Sequence, residues 1–193
     1  MRVAKDMLRR EMKDRRSALP PALHASQSAA AAAHLLALPD VAAAAVIALY
    51  GASRDETDTA ALHDALADKV LVYPRVVPDT PLLSFFAVTD RNALLRSETL
   101  GVLEPPPAAL PVALIDIQIF VVPGLAFDAH GARVGWGRGH YDHTLAAAPQ
   151  ALRVGYAFEF QIAPAVPTTS GDEHMDLLCT DAGIRAANPG RLR

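Results

Sequence analysis

VVPGLAFDAHGARVGWGRGHYD, from Val121 to Asp142, joins two kinds of sequence pattern. Upstream, Ile115, Ile117, Ile119, Phe120, Val121 and Val122 form an apolar run that reads as a buried strand, bounded by Pro123-Gly124. Downstream, Tyr141-Asp142-His143-Thr144-Leu145 opens a short Ala-rich helical pattern that runs to Pro149. Between them lie Gly131, Gly135, Gly137 and Gly139, interleaved with Arg133 and Arg138. A strand that feeds a glycine loop and then a helix start makes an anion site. Glycine lets the backbone approach a ligand with its N–H groups turned inward, and the helix start adds partial positive charge. The two arginines add full charges suited to phosphate oxygens. Asp142, in the first helical turn, is placed to hold a phosphate-bound magnesium ion. The stretch predicts a nucleotide-phosphate loop.

It is neither G-x-x-x-x-G-K-[ST] nor G-x-G-x-x-G, so neither of those mechanisms transfers directly. A glycine-rich hairpin or surface loop with solvated arginines is the other reading of the same residues. The run Gly135-Trp136-Gly137-Arg138-Gly139 favours the first. A turn needs one or two glycines, whereas three at alternate positions suit a ligand touched by backbone.

Outward from this stretch, the chain reads as alternating helices and strands. Residues 3–18 predict a helix with a partial apolar face (Ala4, Met7, Leu8, Met12, Ala18) that stops before Leu19-Pro20-Pro21. Lys5 and Arg9 are four apart and share a face, either solvated or closing over polyphosphate. A second helix runs from Pro21 to Leu38, and a strand ends near Tyr50-Gly51. After the loop Ser53–Asp58, Thr57 or Asp58 caps a helix from about Thr59 to Asp68. Glu56 thus falls where a strand C-terminus hands over to a helix, the place where open α/β sheets bind ligands. Lys69–Tyr73 is a strand ended by Pro74, and Leu82–Val88 is another. Residues 90–111 read as loop, with Glu104-Pro105-Pro106-Pro107 as a stiff spacer. Leu152–Phe158 is a strand, and Leu177–Thr180 is read as the last one. The class is α/β, a single-domain layered sheet, parallel or mixed, flanked by helices across residues 1–193.

Composition sets the outer bounds. Hydrophobic residues make up 51% and charged residues 20%, which argues for a folded globular chain. The net charge of -3 gives no general reason to expect nucleic acid as a partner. One cysteine, Cys179, excludes an internal disulfide and fits a reducing compartment. Val41–Tyr50 is apolar but far shorter than a membrane span, and the N-terminus has no apolar signal core. A cytoplasmic protein without a membrane partner is expected. His140 and His143 sit three apart near Asp142, but with one cysteine and no matching distant His/Cys pair the case for zinc is weak. His24, His34 and His63 read as helix-surface residues. Ser170, His174 and Asp176 lack a G-x-S-x-G elbow and are discounted as a triad.

Taken together, the chain resembles the 5-formyltetrahydrofolate cyclo-ligase family, also called 5,10-methenyltetrahydrofolate synthetases. The resemblance covers nearly the whole length in the same order. It runs from Lys5-x-x-x-Arg9 through Asp55-Glu56-Thr57-Asp58-Thr59, Tyr73-Pro74-Arg75 and Glu104-Pro105. The long signature Pro123–Asp142 comes next, then Gly155–Gln161, Val166-Pro167, Asp172, Asp176 and Thr180. The resemblance implies a fold similar to the NagB/RpiA/CoA-transferase-like proteins. It also implies an ATP-driven, Mg2+-dependent closure of 5-formyltetrahydrofolate to 5,10-methenyltetrahydrofolate, with ADP and phosphate released. By that carry-over Lys5, Arg9, Arg133 and Arg138 clamp phosphates over the backbone of Gly135, Gly137 and Gly139, with His140 and Tyr141 beside the nucleotide. Asp142 and Asp172 hold magnesium. Glu56 orients the pterin or formamide end, with Gly51, Trp136 and His140 lining the folate, and Trp136 and Tyr141 supply aromatic surface. Arg138, Glu56 and Tyr141 are the implied catalytic residues. Reduced folate and ATP are the implied partners of a monomer.

Two positions depart from the family's pattern. His140-Tyr141-Asp142 replaces the usual Tyr-Tyr-Asp, and Gly171-Asp172 replaces a frequent His-Asp. Both changes touch substrate fit more than phosphate binding. They keep open a diverged ATP-dependent enzyme acting on another folate or amide, and a non-catalytic nucleotide- or folate-binding paralogue.

Overall fold

The structure, a computed structural model, describes residues 2–53, 55–97 and 101–191. The N-terminal helix α1 (Arg2–Ser17) turns Leu8 and Met12 inward, where Met12 joins an apolar cluster with Leu125, Ala126 and Val134. α2 (Pro21–Leu36) opens on a proline, whose missing N–H costs nothing in a first turn, and buries Ala31, Ala32 and Leu35. A single turn, α3 (Pro39–Ala43), precedes β1 (Val46–Ala48). α4 (Ala60–Ala65) follows; its N-cap is Thr59 rather than Thr57 or Asp58, and the Asp58 carboxylate, one residue earlier, accepts from the Ala60 N–H at 2.9 Å.

β2 (Val70–Val76) and β3 (Leu83–Ala87) form an antiparallel pair. The expected stop at Pro74 does not occur. The Val72 carbonyl accepts from the Leu49 N–H, so Pro74, two residues on, turns its missing donor to the side that β1 has already vacated. The loop expected over residues 90–111 contains a small ribbon, β4 (Leu95–Arg96) with β5 (Leu103–Glu104), and an edge strand, β6 (Pro111–Val112). After β7 (Ile119–Val122), β8 (Ala126–Asp128) and β9 (Arg133–Val134) make a hairpin in a second, three-stranded sheet. The glycines 135–139 then lead into α5 (His140–Ala147). β10 (Leu152–Tyr156), β11 (Ile162–Ala163) and β12 (Leu177–Thr180) come next. β12 is not the last strand, because β13 (Gly183–Ala186) returns antiparallel beside it.

The main sheet has the order β13-β12-β10-β7-β1-β2-β3-β6. Its five central strands, β12 to β2, run parallel, and antiparallel strands close both edges. Alternate residues face two different cores. Ile47, Tyr73, Val121 and Tyr156 pack with Leu35 and Leu62 of α2 and α4, while Ala48, Val72, Phe120 and Leu178 pack with Phe85, Phe127 and Leu145. A sheet buried on both faces needs apolar residues at every position, which is why these strands read as unbroken runs. Because β1, β2 and β7 are parallel, their C-terminal ends lie along one edge of the fold, and the chain leaves them at Tyr50-Gly51, after Val76 and at Pro123.

Gly131 turns the β8–β9 hairpin at φ 78°. A methyl group there would lie 2.3 Å from the Met175 carbonyl oxygen and 3.0 Å from its nitrogen. Gly131→Ala is expected to cost about 2–4 kcal/mol in denaturant unfolding, from strain plus a backbone clash that no rotamer relieves. A loss below about 1 kcal/mol would show that the 175 segment can move aside.

Candidate active site

A cavity of about 710 Å³ opens at the C-terminal ends of β1, β2 and β7. α1 contributes Lys5 and Arg9, and the segment after β1 contributes Gly51 and Glu56. The loop between β9 and α5 adds Gly135, Trp136, Gly137, Arg138 and Gly139, next to Arg133. His140, Tyr141 and Asp142 come from the first turn of α5, and Asp172 from a turn stabilised by its bond to the Thr169 N–H. Every residue that the resemblance implies for the site therefore lines the same space. Both sequence readings of the central stretch find a place: Gly131 belongs to a hairpin, and Gly135–Gly139 to a cavity-lining loop.

The loop depends on its glycines. Gly137 and Gly139 have φ of 94° and 73°, and Gly139 is the residue immediately before α5. The Arg9 Nε–H donates to the Gly135 carbonyl at 2.9 Å, which ties α1 to the loop, and Arg9 also pairs with Asp6. Lys5 Nζ lies 2.6 Å from Asp172 Oδ2, and Arg133 Nη2 lies 3.0 Å from Asp142 Oδ1. Arg138 is exposed and, among the described residues, has no hydrogen-bond or ion-pair partner. Two of the four candidate phosphate cations are thus neutralised by the two candidate metal carboxylates, and Arg138 is left with an unmatched charge at the cavity.

Burial works against the charge on Asp172, but the Lys5 ammonium and the Thr169 N–H outweigh it and hold its carboxyl below the usual 3.8. A depressed carboxyl contributes stability that is fully present above its unfolded value and is lost as pH falls through the folded one. The unfolding midpoint of the wild type is therefore expected to exceed that of Asp172→Asn by a constant margin from pH 7 to pH 5. The margin should vanish as pH falls well below 3.8. A margin that stayed unchanged in acid would show that the Lys5–Asp172 pair is not its source.

The folate end of the carry-over has its own geometry. Glu56 is 7% exposed, and its Oε2 accepts from the Ser53 N–H at 2.9 Å. His24 donates through Nε2 to the Glu56 carbonyl at 2.8 Å. Burial, reinforced by the Glu56 charge, raises the Tyr50 phenol well above its usual range, and burial does the same for Tyr141 despite the opposing pull of Arg133. Both phenols stay neutral and donate rather than abstract protons. Trp136 is 54% exposed, with the Lys13 ammonium 4.4 Å above its ring centroid. His140 Nδ1 lies 3.0 Å from the Pro81 carbonyl.

Several lining residues escaped the sequence reading, among them Tyr50, Leu83, Val102 and Leu103. Tyr50 carried a usable signal, since it sits beside Gly51 at a strand end. The ribbon carried none, because its strands are two residues long. Gly51 explains how the ribbon closes the wall: a Cβ there would lie 2.4 Å from the Leu103 carbonyl oxygen.

The histidines of the helices need correction. His63 is buried between the Tyr73 hydroxyl at 2.9 Å and the Thr89 carbonyl at 3.3 Å. His34 reaches the Thr180 carbonyl at 2.9 Å. His63 is thus interior, whereas His34 and His24 are half-buried and bond backbone carbonyls across a packed interface. His174 bonds the His130 carbonyl, while Asp176 is held by Arg153 and Arg191.

Magnesium demands little from protein when it arrives on a polyphosphate: one or two carboxylates, with phosphate oxygens and waters for the rest. Asp142 and Asp172 line one cavity, and the Glu173 N–H contacts Asp142 Oδ1 at 3.3 Å, which brings the two carboxylate segments together. Asp142 keeps one oxygen, Oδ2, without a hydrogen-bond or ion-pair partner among the described residues. No group of three or more metal-ligating side chains occurs among them. The donor set fits a phosphate-borne cation rather than a protein cage.

Comparison with known proteins places the chain. Residues 1–181 match the model of the 5-formyltetrahydrofolate cyclo-ligase family. The 5-formyltetrahydrofolate cyclo-ligase of Escherichia coli K12 is 28% identical over 180 residues, which is 90% of this chain and 98% of that protein. The solution structure of Aquifex aeolicus 5,10-methenyltetrahydrofolate synthetase superposes with a TM-score of 0.83 at 29% identity, over 95% of this chain and 92% of the other. A 5,10-methenyltetrahydrofolate synthetase from Mycoplasma pneumoniae gives 0.74 at 23% identity over 92% and 98%, a likeness of fold. The chain belongs to the 5-formyltetrahydrofolate cyclo-ligase family.

Proposed function

From that membership, we propose that the chain closes 5-formyltetrahydrofolate to 5,10-methenyltetrahydrofolate and consumes ATP. The observation that carries the proposal is the meeting of Lys5, Arg9, Arg138 and the Gly135–Gly139 backbone with the buried carboxylate of Glu56 in one cavity. One end offers cations and backbone donors for a polyphosphate. The other offers an anion and the neutral phenol of Tyr141 for a polar heterocycle.

The chemistry accounts for that division. A formamide oxygen leaves poorly, so the formyl oxygen first attacks the γ-phosphorus and the bond to ADP breaks. N10 then attacks the activated carbon and loses its proton. The C–O bond breaks and phosphate departs with the former formyl oxygen. Such a transfer needs positioning and charge neutralisation more than covalent help from protein. Lys5, Arg9 and Arg138 bind the phosphates, Arg133 steadies Asp142, and Glu56 orients the pterin or formamide end. Asp142 and Asp172 would hold Mg2+, which supplies further neutralisation of phosphate charge when bound. A single catalytic unit over residues 1–193 working as a monomer is part of the proposal. No described helix is long and apolar enough to cross a membrane, and a cytoplasmic place of action beside its substrates is part of the proposal.

Substrate labelled with heavy oxygen in the formyl group tests this reading. The label is expected in the released phosphate; label in bulk water would rule out phosphorylation of the formyl oxygen.

A further inference from the structure

Arg16, like Arg153, is an arginine almost wholly withdrawn from water. It projects from the last turn of α1, is 2% exposed, and has no sequence feature that marks it out from Arg15 beside it. Its Nη2 lies 3.1 Å from Asp55 Oδ1, off the line of a hydrogen bond, and none of its three nitrogens has a hydrogen-bond partner among the described residues. Its guanidinium carbon lies 5.9 Å from the Trp136 ring centroid, on a ring that Lys13 also approaches. Burying a guanidinium with so little compensation is unfavourable, and pairing with one carboxylate repays only part of that cost. A side chain retained on such terms serves something other than stability.

What it holds is the segment that carries Glu56. Asp55 Oδ1 accepts from the Ser53 hydroxyl at 3.1 Å, and the Ser53 N–H donates to Glu56 Oε2 at 2.9 Å. Among the described residues, that donor is the one hydrogen-bond partner of the Glu56 carboxylate. His24 and Tyr50 pin the backbone carbonyls of Glu56 and Thr57 but do not touch the carboxylate. Orientation of the carboxylate therefore passes through Ser53 and Asp55 to Arg16. We propose that Arg16 is a positioning residue that, through Asp55 and Ser53, aims the Glu56 carboxylate into the cavity. The same helix that presents Lys5 and Arg9 to the phosphate end thus sets the geometry of the folate end. The assignment of the folate end rests on the function proposed above; the anchoring of the segment does not.

Amide hydrogen exchange and kinetics together test this. In Arg16→Met and in the milder Asp55→Asn, the amides of Ser53, Asp55, Glu56 and Thr57 are expected to exchange about tenfold faster, with β1 and the rest of α1 unchanged. KM for 5-formyltetrahydrofolate should rise about tenfold while KM for ATP stays within about twofold, and Arg16→Lys should recover part of the difference. Unchanged exchange at residues 53–57 in Asp55→Asn would overturn the proposal, and so would a fall in kcat with both KM values unchanged, which marks a fold strut. If the wild type turned over no folate, the proposed function would fall, and exchange would still decide whether Arg16 anchors the segment.

Discussion

Replacing Arg138 by alanine is expected to reduce ATP-dependent turnover about 10²–10³-fold, the usual loss when one preorganised charge is removed from a transferring group. The structure makes this a clean test. Arg138 is exposed and has no partner among the described residues, so its loss disturbs no contact and should shift stability by less than about 0.5 kcal/mol. Lys5, Arg9 and Arg133 are less informative targets, because each is tied to Asp172, Gly135 or Asp142 and its removal frees a partner. Arg138→Lys should restore only part of the rate, since an ammonium keeps the charge without the two-pronged geometry. Wild-type turnover in Arg138→Ala, measured with saturating folate and varied ATP, would remove Arg138 from the phosphate clamp.

Glu56→Gln should separate the two ends of the cavity. The change is isosteric, and the amide oxygen can still accept from the Ser53 N–H, so the loop keeps its shape. What is lost is a negative charge in a buried place. Hydrogen bonds to charged groups contribute about 1.5–3 kcal/mol, so kcat/KM for 5-formyltetrahydrofolate should fall about 10–150-fold. ATP binding, followed by calorimetry, should change less than about twofold, because the nucleotide cations belong to α1 and the 135–139 loop. Equal weakening of folate and nucleotide would mean that Glu56 serves both ends.

The residues that meet in the cavity were legible because each is encoded by residue type in a short window. The glycine alternation at 135–139, the four-residue spacing of Lys5 and Arg9, and Glu56 after a strand end all sit in one cavity. The parallel core was legible as well, since strands buried on both faces must be continuously apolar. Short elements were not. β8 and β9 have three and two residues, buried throughout, and show no alternation to separate them from the loop they precede. Their turn does carry a signal in Asp128, whose Oδ1 accepts from the His130 and Ala132 N–H groups, followed by Gly131. Pro74 read as a terminator because a sequence does not show where the neighbouring strand stops. His63 read as surface because helical position alone does not reveal what packs on that face, and Arg16 went unread for the same reason.

The most direct test of the cavity as a cyclo-ligase site is the absorbance of methenyltetrahydrofolate when purified protein meets 5-formyltetrahydrofolate, ATP and magnesium, with controls that omit each in turn. Growth that requires all three together is the expected result. No growth from protein that still binds ATP would contradict it and direct attention to His140 and Gly171 and to a different acceptor; no growth and no ATP binding would contradict the phosphate loop itself.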